Sequence, residues 1–118
     1  MERIINKNTS NFIVTNNYIN NNKTLLPNVL YKKMETFVLK SVSPFEHVII
    51  SKPALKKLNI LKNAFLNDSL QLSSNIKKLD KNELQITVEV VRSDSCNDVI
   101  CNAFFSFLLK ENSVKKVS

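Results

Sequence analysis

One change in the spacing of apolar residues constrains this chain more than any other feature. After an Asn-rich loop, apolar side chains recur every three or four positions between Leu25 and Val42, which is typical of a helix with a wide buried stripe. Thr24 can cap this helix, Pro27 falls in its first turn, and Ser43-Pro44 ends it. Beyond the helix the spacing changes to two, which indicates strands. This order predicts an α+β domain whose sheet wraps one long helix.

Five segments are predicted to form the sheet. One precedes the helix and four follow it: residues 12–15, 48–60, 70–76, 83–90 and 99–109. Pro53 interrupts the second segment, which argues for an edge strand or a bulge there. The last segment is apolar at nearly every position, so we expect it in the middle of the sheet or against a second subunit.

Length and composition bound the remaining possibilities. A chain of 118 residues has room for one hydrophobic core, and 43% hydrophobic residues is typical of a globular protein. We expect a flexible segment at residues 1–11, one domain over 12–110 and a tail at 111–118. No stretch approaches the roughly 20 apolar residues that span a bilayer. Because the first residues lack the apolar core of a secretory signal, a cytoplasmic location without a membrane partner is predicted.

Charge and cysteine content argue against two common classes of site. The net charge is +7, but the lysines occur in scattered pairs, which indicates a solvated surface more than a nucleic-acid partner. Cys96, Cys101 and the distant His47 are too few for a metal site, so no metal is expected. We predict a buried thiol at Cys101, a thiol in a turn at Cys96, and a loop or strand-start position for His47.

The chain contains no glycine and many asparagines. Asparagine tolerates a positive φ better than other residues that carry a Cβ atom. We therefore expect asparagine at the positions where the backbone needs that conformation.

The segment before and within the helix resembles hot-dog-fold acyl-CoA thioesterases. In that family an Asn, a Gly three residues later and a Gly-Gly pair lead into the central helix, which then carries a Met followed by an acidic residue. Here these positions hold Asn20, Lys23, Pro27-Asn28 and Met34-Glu35, with the spacing preserved.

Two further segments extend the resemblance over about residues 12–110. A family loop that closes in Gly-Asp before a strand is similar to residues 60–72, where Asn67-Asp68 takes that place. The family's final strand, with a small residue, an aromatic residue and a closing Phe, is similar to residues 103–107. The departures are the loss of every motif glycine and a Glu where Asp is common. Pro27 cannot donate the backbone N–H that polarises the thioester carbonyl in the family, but Asn28 can.

The resemblance implies a fold, a reaction and a set of residues. The fold is a five-stranded antiparallel sheet around one central helix, and the reaction is hydrolysis of an acyl thioester on CoA or a carrier protein. Glu35 is the base or nucleophile, Asn20 orients water or the carbonyl, and the N–H of Asn28 polarises the carbonyl. In the family the two halves of this site come from different subunits, which implies a homodimer at least, with tetramers and hexamers known for the fold. CoA enters as part of the substrate, and no other cofactor is expected.

Lysines near the turn between the third and fourth predicted strands are candidates for contacts with the CoA phosphates. Lys77, Lys78 and Lys81 surround this turn, with Arg92 and Lys62 behind them. The plain alternative for these residues is a role in surface solubility.

Other interpretations stay open at this point. Glu35 can be an ordinary solvent-facing helix residue, and Asn20 an ordinary loop asparagine. A hot-dog dehydratase would use a His where Asn20 stands. A non-catalytic acyl-binding or assembly subunit would keep the fold without the reaction. A nucleic-acid module lacks its usual exposed aromatic and Gly-rich elements here.

Overall fold

The computed structural model describes residues 8–110 of the chain. Its main elements are β1 (Asn8–Ile13), α1 (Pro27–Ser41), β2 (Ala54–Ile60), β3 (Ser69–Leu79), β4 (Glu83–Arg92) and β5 (Ser95–Leu108). Short 3-10 turns lie at Asn16–Tyr18 and Ser43–Phe45. The strands form one antiparallel sheet in the order β1-β3-β4-β5-β2. The predicted five-stranded antiparallel sheet with one long helix is confirmed.

The core lies between α1 and the inner face of the sheet. On β4, four alternating side chains are at most 1% exposed, because the period of two directs them all toward the helix: Leu84, Ile86, Val88 and Val90. From α1, Met34 and Phe37 fill the space above them. Burial of one such side chain stabilises the fold by roughly 1.5–3 kcal/mol. The Ser74 hydroxyl of β3 donates a 3.0 Å hydrogen bond to the Ser41 hydroxyl of α1, which in turn donates to the Phe37 carbonyl at 2.9 Å, so both buried hydroxyls have partners within the protein.

The helix begins later than its apolar spacing predicts. Leu26 is the N-cap residue, with extended backbone and no side-chain cap, and Pro27 is the first helical residue. Thr24 and Leu25 instead form isolated bridges with other segments, so the prediction that Thr24 caps the helix is wrong. The helix ends at Ser41, just before the predicted Ser43-Pro44 stop. No helix within the described range 8–110 is long and apolar enough to cross a membrane.

Strand boundaries differ from the predictions where pairing partners decide them. β1 begins at Asn8, inside the segment expected to be flexible, because it pairs with β3 from that residue onward. Residues 1–7 and 111–118 lie outside the described range. The predicted strand over 48–60 is wrong in its first half, since Ile49 forms only an isolated bridge with Leu109 and β2 starts after Pro53. As Pro53 suggested, β2 is an edge strand with a bulge, between Leu55 and Lys57.

The last strand is an interior strand, between β4 and β2, as its apolar sequence predicts. It begins earlier than expected because the turn after β4 is only two residues long, with Arg92 paired to Ser95. Cys96 therefore lies in β5, and its prediction as a turn residue is wrong. Cys101 is fully buried, as predicted.

Within residues 8–110, two residues adopt a positive φ, and both stand where the resemblance assigns a family glycine. They are Lys23, with φ of 64°, and Asn67, with φ of 74°. Asn67 fits the expectation that asparagine occupies such positions, whereas Lys23 does not. At both positions the backbone therefore has the left-handed conformation that glycine adopts most readily.

Candidate active site

A groove opens between the C-terminal half of α1 and the segment that precedes β2. Its volume is about 530 Å³. Five of the side chains that line it are apolar: Leu39, Val42, Ile49, Pro53 and Phe107. The polar lining residues are Glu35, Glu46, Ser51 and Lys52. An apolar groove with a few polar groups suits a ligand that has a hydrocarbon part and a polar reacting end.

Glu35 is the polar residue of this groove that is held in place from within the helix. It is half-buried, and the Tyr31 hydroxyl donates a 3.2 Å hydrogen bond to its Oε2 atom. Tyr31 in turn packs against Phe105, with 6.2 Å between ring centroids. Burial, and then the charge of Glu35, raise the pKa of Tyr31 above its usual value, so the phenol keeps its proton and remains a donor. The Glu35 side chain is therefore not freely solvated.

Asn20 organises the loop that leads to the helix. Its Oδ1 atom accepts hydrogen bonds from the backbone N–H groups of Asn22 and Thr24, at 2.9 and 3.1 Å. Its own carbonyl accepts the N–H of Lys23 at 3.0 Å. The side chain is exposed, and its Nδ2 amide has no partner among residues 8–110. Asn20 thus has a structural role through its oxygen and a spare donor on its nitrogen.

Asn28 lies at the start of α1, as predicted. Its backbone N–H belongs to the first turn of the helix, where amide hydrogens have no acceptor in the preceding turn. It lines a separate cleft beside Tyr18 and Lys32, and Glu35 lies seven residues further, about 10 Å along the helix axis. One copy of the chain therefore does not bring Asn20, Asn28 and Glu35 around a common cavity.

The lysines predicted to meet CoA phosphates surround the β3–β4 turn. Lys78 lies 3.5 Å from Asp80 and 3.7 Å from Glu83, so carboxylates already occupy its surroundings. Lys77 lies 4.7 Å above the Phe104 ring, and Lys81 is exposed.

The other two basic residues, Arg92 and Lys62, do not lie behind that turn as predicted, since Arg92 ends β4 and pairs with Leu70 at the opposite end of β3. Arg92 and Lys62 both contact Asp98, at 3.1 and 2.6 Å, and Arg92 donates to the Asn63 carbonyl at 2.8 Å. The hydrogen bond from Lys62, followed by the charges of both cations, lowers the pKa of Asp98. These contacts tie the segment after β2 to the start of β5, and they direct both cations toward protein carboxylates.

Ser51 is a groove residue that sequence reasoning missed. Its hydroxyl accepts the backbone N–H of Leu108 at 2.9 Å and donates to the Lys52 carbonyl at 3.1 Å, which fixes the oxygen beside Glu35's groove. The predicted continuous strand over residues 48–60 left no reason to single out Ser51. The one available signal was a hydroxyl residue directly before Lys52-Pro53, where the strand breaks. His47 is exposed in a turn, as predicted, and does not line the groove.

Comparison with known proteins gives fold-level likeness alone. No protein-family model matches the chain, and no curated protein sequence matches it. Among solved structures, an acyl-CoA hydrolase from Staphylococcus aureus in complex with butyryl coenzyme A, coenzyme A and coenzyme A disulfide is 14% identical, with a TM-score of 0.74. That match covers 88% of this chain and 65% of the other. The chain thus spans about two thirds of the staphylococcal enzyme's length.

Two further structures from other bacteria agree. A hypothetical thioesterase protein from Streptococcus pneumoniae with coenzyme A is 14% identical, with a TM-score of 0.73 over 89% of this chain and 79% of that one. A 1,4-dihydroxy-2-naphthoyl-CoA thioesterase from Synechocystis is 11% identical, with a TM-score of 0.70 over 87% and 81%. The resemblance in the sequence motifs is therefore confirmed in the fold: this chain has the hot-dog fold of acyl-CoA hydrolases and thioesterases.

Proposed function

We propose that this protein hydrolyses acyl thioesters of CoA, or of an acyl-carrier protein, with Glu35 as its acidic catalytic residue. The observation that carries the proposal is the half-buried Glu35 carboxylate, held by Tyr31 at the polar side of an apolar groove. The groove would take the acyl chain, and the carboxylate would meet the thioester at its end.

The chemistry needs a group that stabilises negative charge on the carbonyl oxygen, opposite the attacking group. The N–H of Asn28 and the positive end of the α1 dipole supply that stabilisation, and the spare Nδ2 donor of Asn20 adds a second hydrogen bond. Glu35 either takes a proton from the attacking water or attacks the carbonyl carbon itself. In the first route water adds to the carbonyl and the carbon–sulfur bond breaks, which releases the CoA thiol and a carboxylic acid. In the second route the acyl group passes from sulfur to the Glu35 carboxylate as a mixed anhydride, and water then hydrolyses the anhydride to release the acid.

The spacing of substituted residues in the structural neighbours supports these assignments. In the staphylococcal hydrolase, alanine variants replace an asparagine and an aspartate fifteen positions apart, the same separation as Asn20 and Glu35. In the pneumococcal protein, the substituted aspartate and threonine are sixteen positions apart, as are Glu35 and Ser51, whereas in the staphylococcal hydrolase they are seventeen positions apart. Because Ser51 lines the groove of Glu35, we add it to the proposed site, where its fixed hydroxyl would hold the attacking water.

A second copy of the chain is needed to complete the site, because Asn20 and Asn28 lie away from the groove of their own Glu35. The edge strand β2 offers the place for it. Leu55, Leu58 and Ile60 face the helix side of the sheet, yet they remain 37%, 37% and 46% exposed. Pairing two β2 edges would satisfy their free backbone groups and cover these side chains. Asn20 of the partner subunit would then complete the groove in the homodimer.

For the CoA phosphates, Lys77, Lys78 and Lys81 remain the predicted contacts. Their expected contribution is modest, since Lys78 already interacts with two carboxylates at the surface.

The second candidate function is an acyl-binding or assembly subunit without hydrolase activity. The replaced motif glycines favour it. Pro27 occupies the first helical position and has no N–H to donate, and Lys23 adds a long side chain in the loop before it. If these changes close the approach to Asn28, the groove would bind an acyl chain without turning it over.

Release of free CoA from a panel of acyl-CoA thioesters tests the proposal. Glu35→Gln should reduce kcat by about 100-fold or more, as loss of a general base does. Glu46→Gln is the matched control, because Glu46 lines the same groove but is exposed, and it should retain wild-type activity within about twofold. Full activity in Glu35→Gln would contradict the assignment. Binding of acyl-CoA by the wild type without any turnover would establish the second function instead.

A further inference from the structure

A polar cleft lies on the opposite flank of α1 from Glu35. Two adjoining cavities, of about 200 and 340 Å³, separate the helix from β1 and share Ser10, Phe37 and Lys40. β1 pairs with β3 so that Ser10 and Leu72 face each other and point toward the helix. The cleft therefore has an apolar floor, Phe37 and Leu72, between two walls that carry hydroxyl, amide and ammonium groups.

The part of the cleft beside β1 contains none of the proposed active-site residues Asn20, Asn28, Glu35 and Ser51. Lys33, which lines it, precedes Glu35 by two residues, and this places the two side chains about 200° apart around the helix. A third cavity, of about 310 Å³, adjoins it through Lys33 and Thr36, brings in Lys32 and reaches Asn28, the residue proposed to polarise the carbonyl. Lys32, Lys33 and Lys40 thus mark one continuous basic cleft along the helix.

The charge of the cleft is uncompensated. No Asp or Glu of residues 8–110 lines any of the three cavities. Lys32, Lys33 and Lys40 make no ion pair within this same range, whereas Lys62, Lys78 and Arg92 each lie within 3.7 Å of a carboxylate. Unpaired cations in a concave site attract an anion more strongly than the same cations on a flat surface, because the low-dielectric walls focus their field.

Lys33 is held ready for such an anion. Its Nζ atom donates to the Tyr18 hydroxyl at 3.1 Å and lies 4.7 and 5.1 Å from the ring centroids of Tyr18 and Phe12. Aromatic faces stabilise an ammonium group without cancelling its charge, and two of its three N–H donors remain for a ligand. The side chain is therefore already ordered, and binding costs it little conformational entropy.

The size of the cleft indicates the ligand. Lys33 and Lys40 are seven residues apart on α1, or about 10 Å along its axis, so one phosphate group contacts only one of them. The Ser10 and Thr36 hydroxyls lie between them as further donors. We propose that this cleft binds a small ligand with two or more phosphate groups, which inorganic pyrophosphate and nucleoside diphosphates share as their common chemistry.

Calorimetric titration of the full chain at low ionic strength, with inorganic pyrophosphate and separately with ADP, tests the proposal. The double variant Lys32→Gln/Lys40→Gln should weaken binding at least tenfold. Lys56→Gln/Lys57→Gln removes the same charge from β2, at the opposite edge of the sheet, and should change the affinity less than twofold. Neither pair lies in the core, and circular dichroism checks that both variants fold.

Each outcome separates the possibilities. Similar affinity for both probes would assign the site to the phosphate groups, and tighter binding of ADP would add recognition of the nucleoside; both support the proposal. Equal weakening by the two double variants would overturn it, because only the net charge would then matter. If neither pyrophosphate nor ADP binds, the proposal is also overturned. This holds even if a single-stranded RNA oligonucleotide, titrated in the same way, does bind.

Discussion

The phenolic oxygen of Tyr31 lies 3.2 Å from Oε2 of Glu35, one turn further along α1. The two residues share a helix face, and Phe105 on β5 packs against the Tyr31 ring. Because burial and the Glu35 charge raise the pKa of Tyr31, its proton is retained at and well above neutral pH. The contact thus fixes the direction in which the Glu35 carboxylate points, toward the groove.

Tyr31→Phe removes this hydrogen bond while keeping the packing of the ring. A hydrogen bond to a charged group contributes about 1.5–3 kcal/mol. Without it the Glu35 carboxylate would be less well oriented, and if about half of that free energy is lost from the transition state, kcat should fall about tenfold. KM should change little, since Tyr31 does not line the groove. Steady-state acyl-CoA hydrolysis measures both values.

The control for this change is Tyr18→Phe. Tyr18 is the other tyrosine of the chain, and its hydroxyl contacts Lys33 on the opposite flank of α1. It should leave kcat within about twofold of wild type. A Tyr31→Phe variant as active as Tyr18→Phe would show that the Tyr31 contact has no part in positioning Glu35.

The exposed leucines of β2 predict that Leu58→Asp breaks the homodimer. Two buried charges facing each other across the interface are strongly unfavourable, so sedimentation equilibrium should show monomers at concentrations where the wild type is dimeric. Hydrolase activity should disappear with the dimer. The control is Leu79→Asp, because Leu79 is more exposed (49%) and ends β3, away from the β2 edge. This variant should keep both the dimer and the activity. A dimeric Leu58→Asp protein would place the interface elsewhere.

Stability above pH 9 should depend on Cys101. Burial raises the pKa of this thiol from 9.0 to about 11. The unfolded chain therefore loses this proton first as the pH rises, and the thiol's contribution to the free energy of unfolding is complete below pH 9 and lost between pH 9 and 11. Two pKa units correspond to about 2–3 kcal/mol.

Urea unfolding of the wild type and of Cys101→Ala across this range isolates the effect. The variant is less stable at pH 8, because it leaves a small cavity beside Met34, whose sulfur lies 3.9 Å from the thiol. The stability difference between the two proteins should shrink as the pH rises from 9 to 11. A constant difference would mean that the thiol ionises as readily in the folded chain as in the unfolded one.

Much of the fold is predictable from local patterns because those patterns match their final environments. The three- and four-residue spacing around Met34 and the alternation from Leu84 to Val90 both describe faces that are buried in the structure. Glu35 could be singled out because its distance from Asn20 along the chain is a sequence property. Its contact with Tyr31, four residues earlier, follows from helix geometry, whereas its burial depends on the segment packed before β2.

The features that were missed depend on partners far along the chain. Ile49, predicted to lie in a strand, forms only an isolated bridge, and its partner is Leu109. Thr24, predicted to cap α1, instead forms an isolated bridge with Phe65. Ser51 gains its fixed hydroxyl from the backbone of Leu108, 57 residues away. The basic cleft likewise joins β1 to α1, and its lysines are unremarkable until the two elements are packed together.

The proposal depends most directly on an active site shared by two copies of the chain, and subunit complementation measures this. Glu35→Gln and Asn20→Ala homodimers should each be nearly inactive on acyl-CoA. After unfolding and refolding as an equal mixture, half of the dimers are mixed and carry one intact site, so about a quarter of the wild-type activity should return. A mixture no more active than the two variants alone would contradict the shared site and the roles given to Glu35 and Asn20.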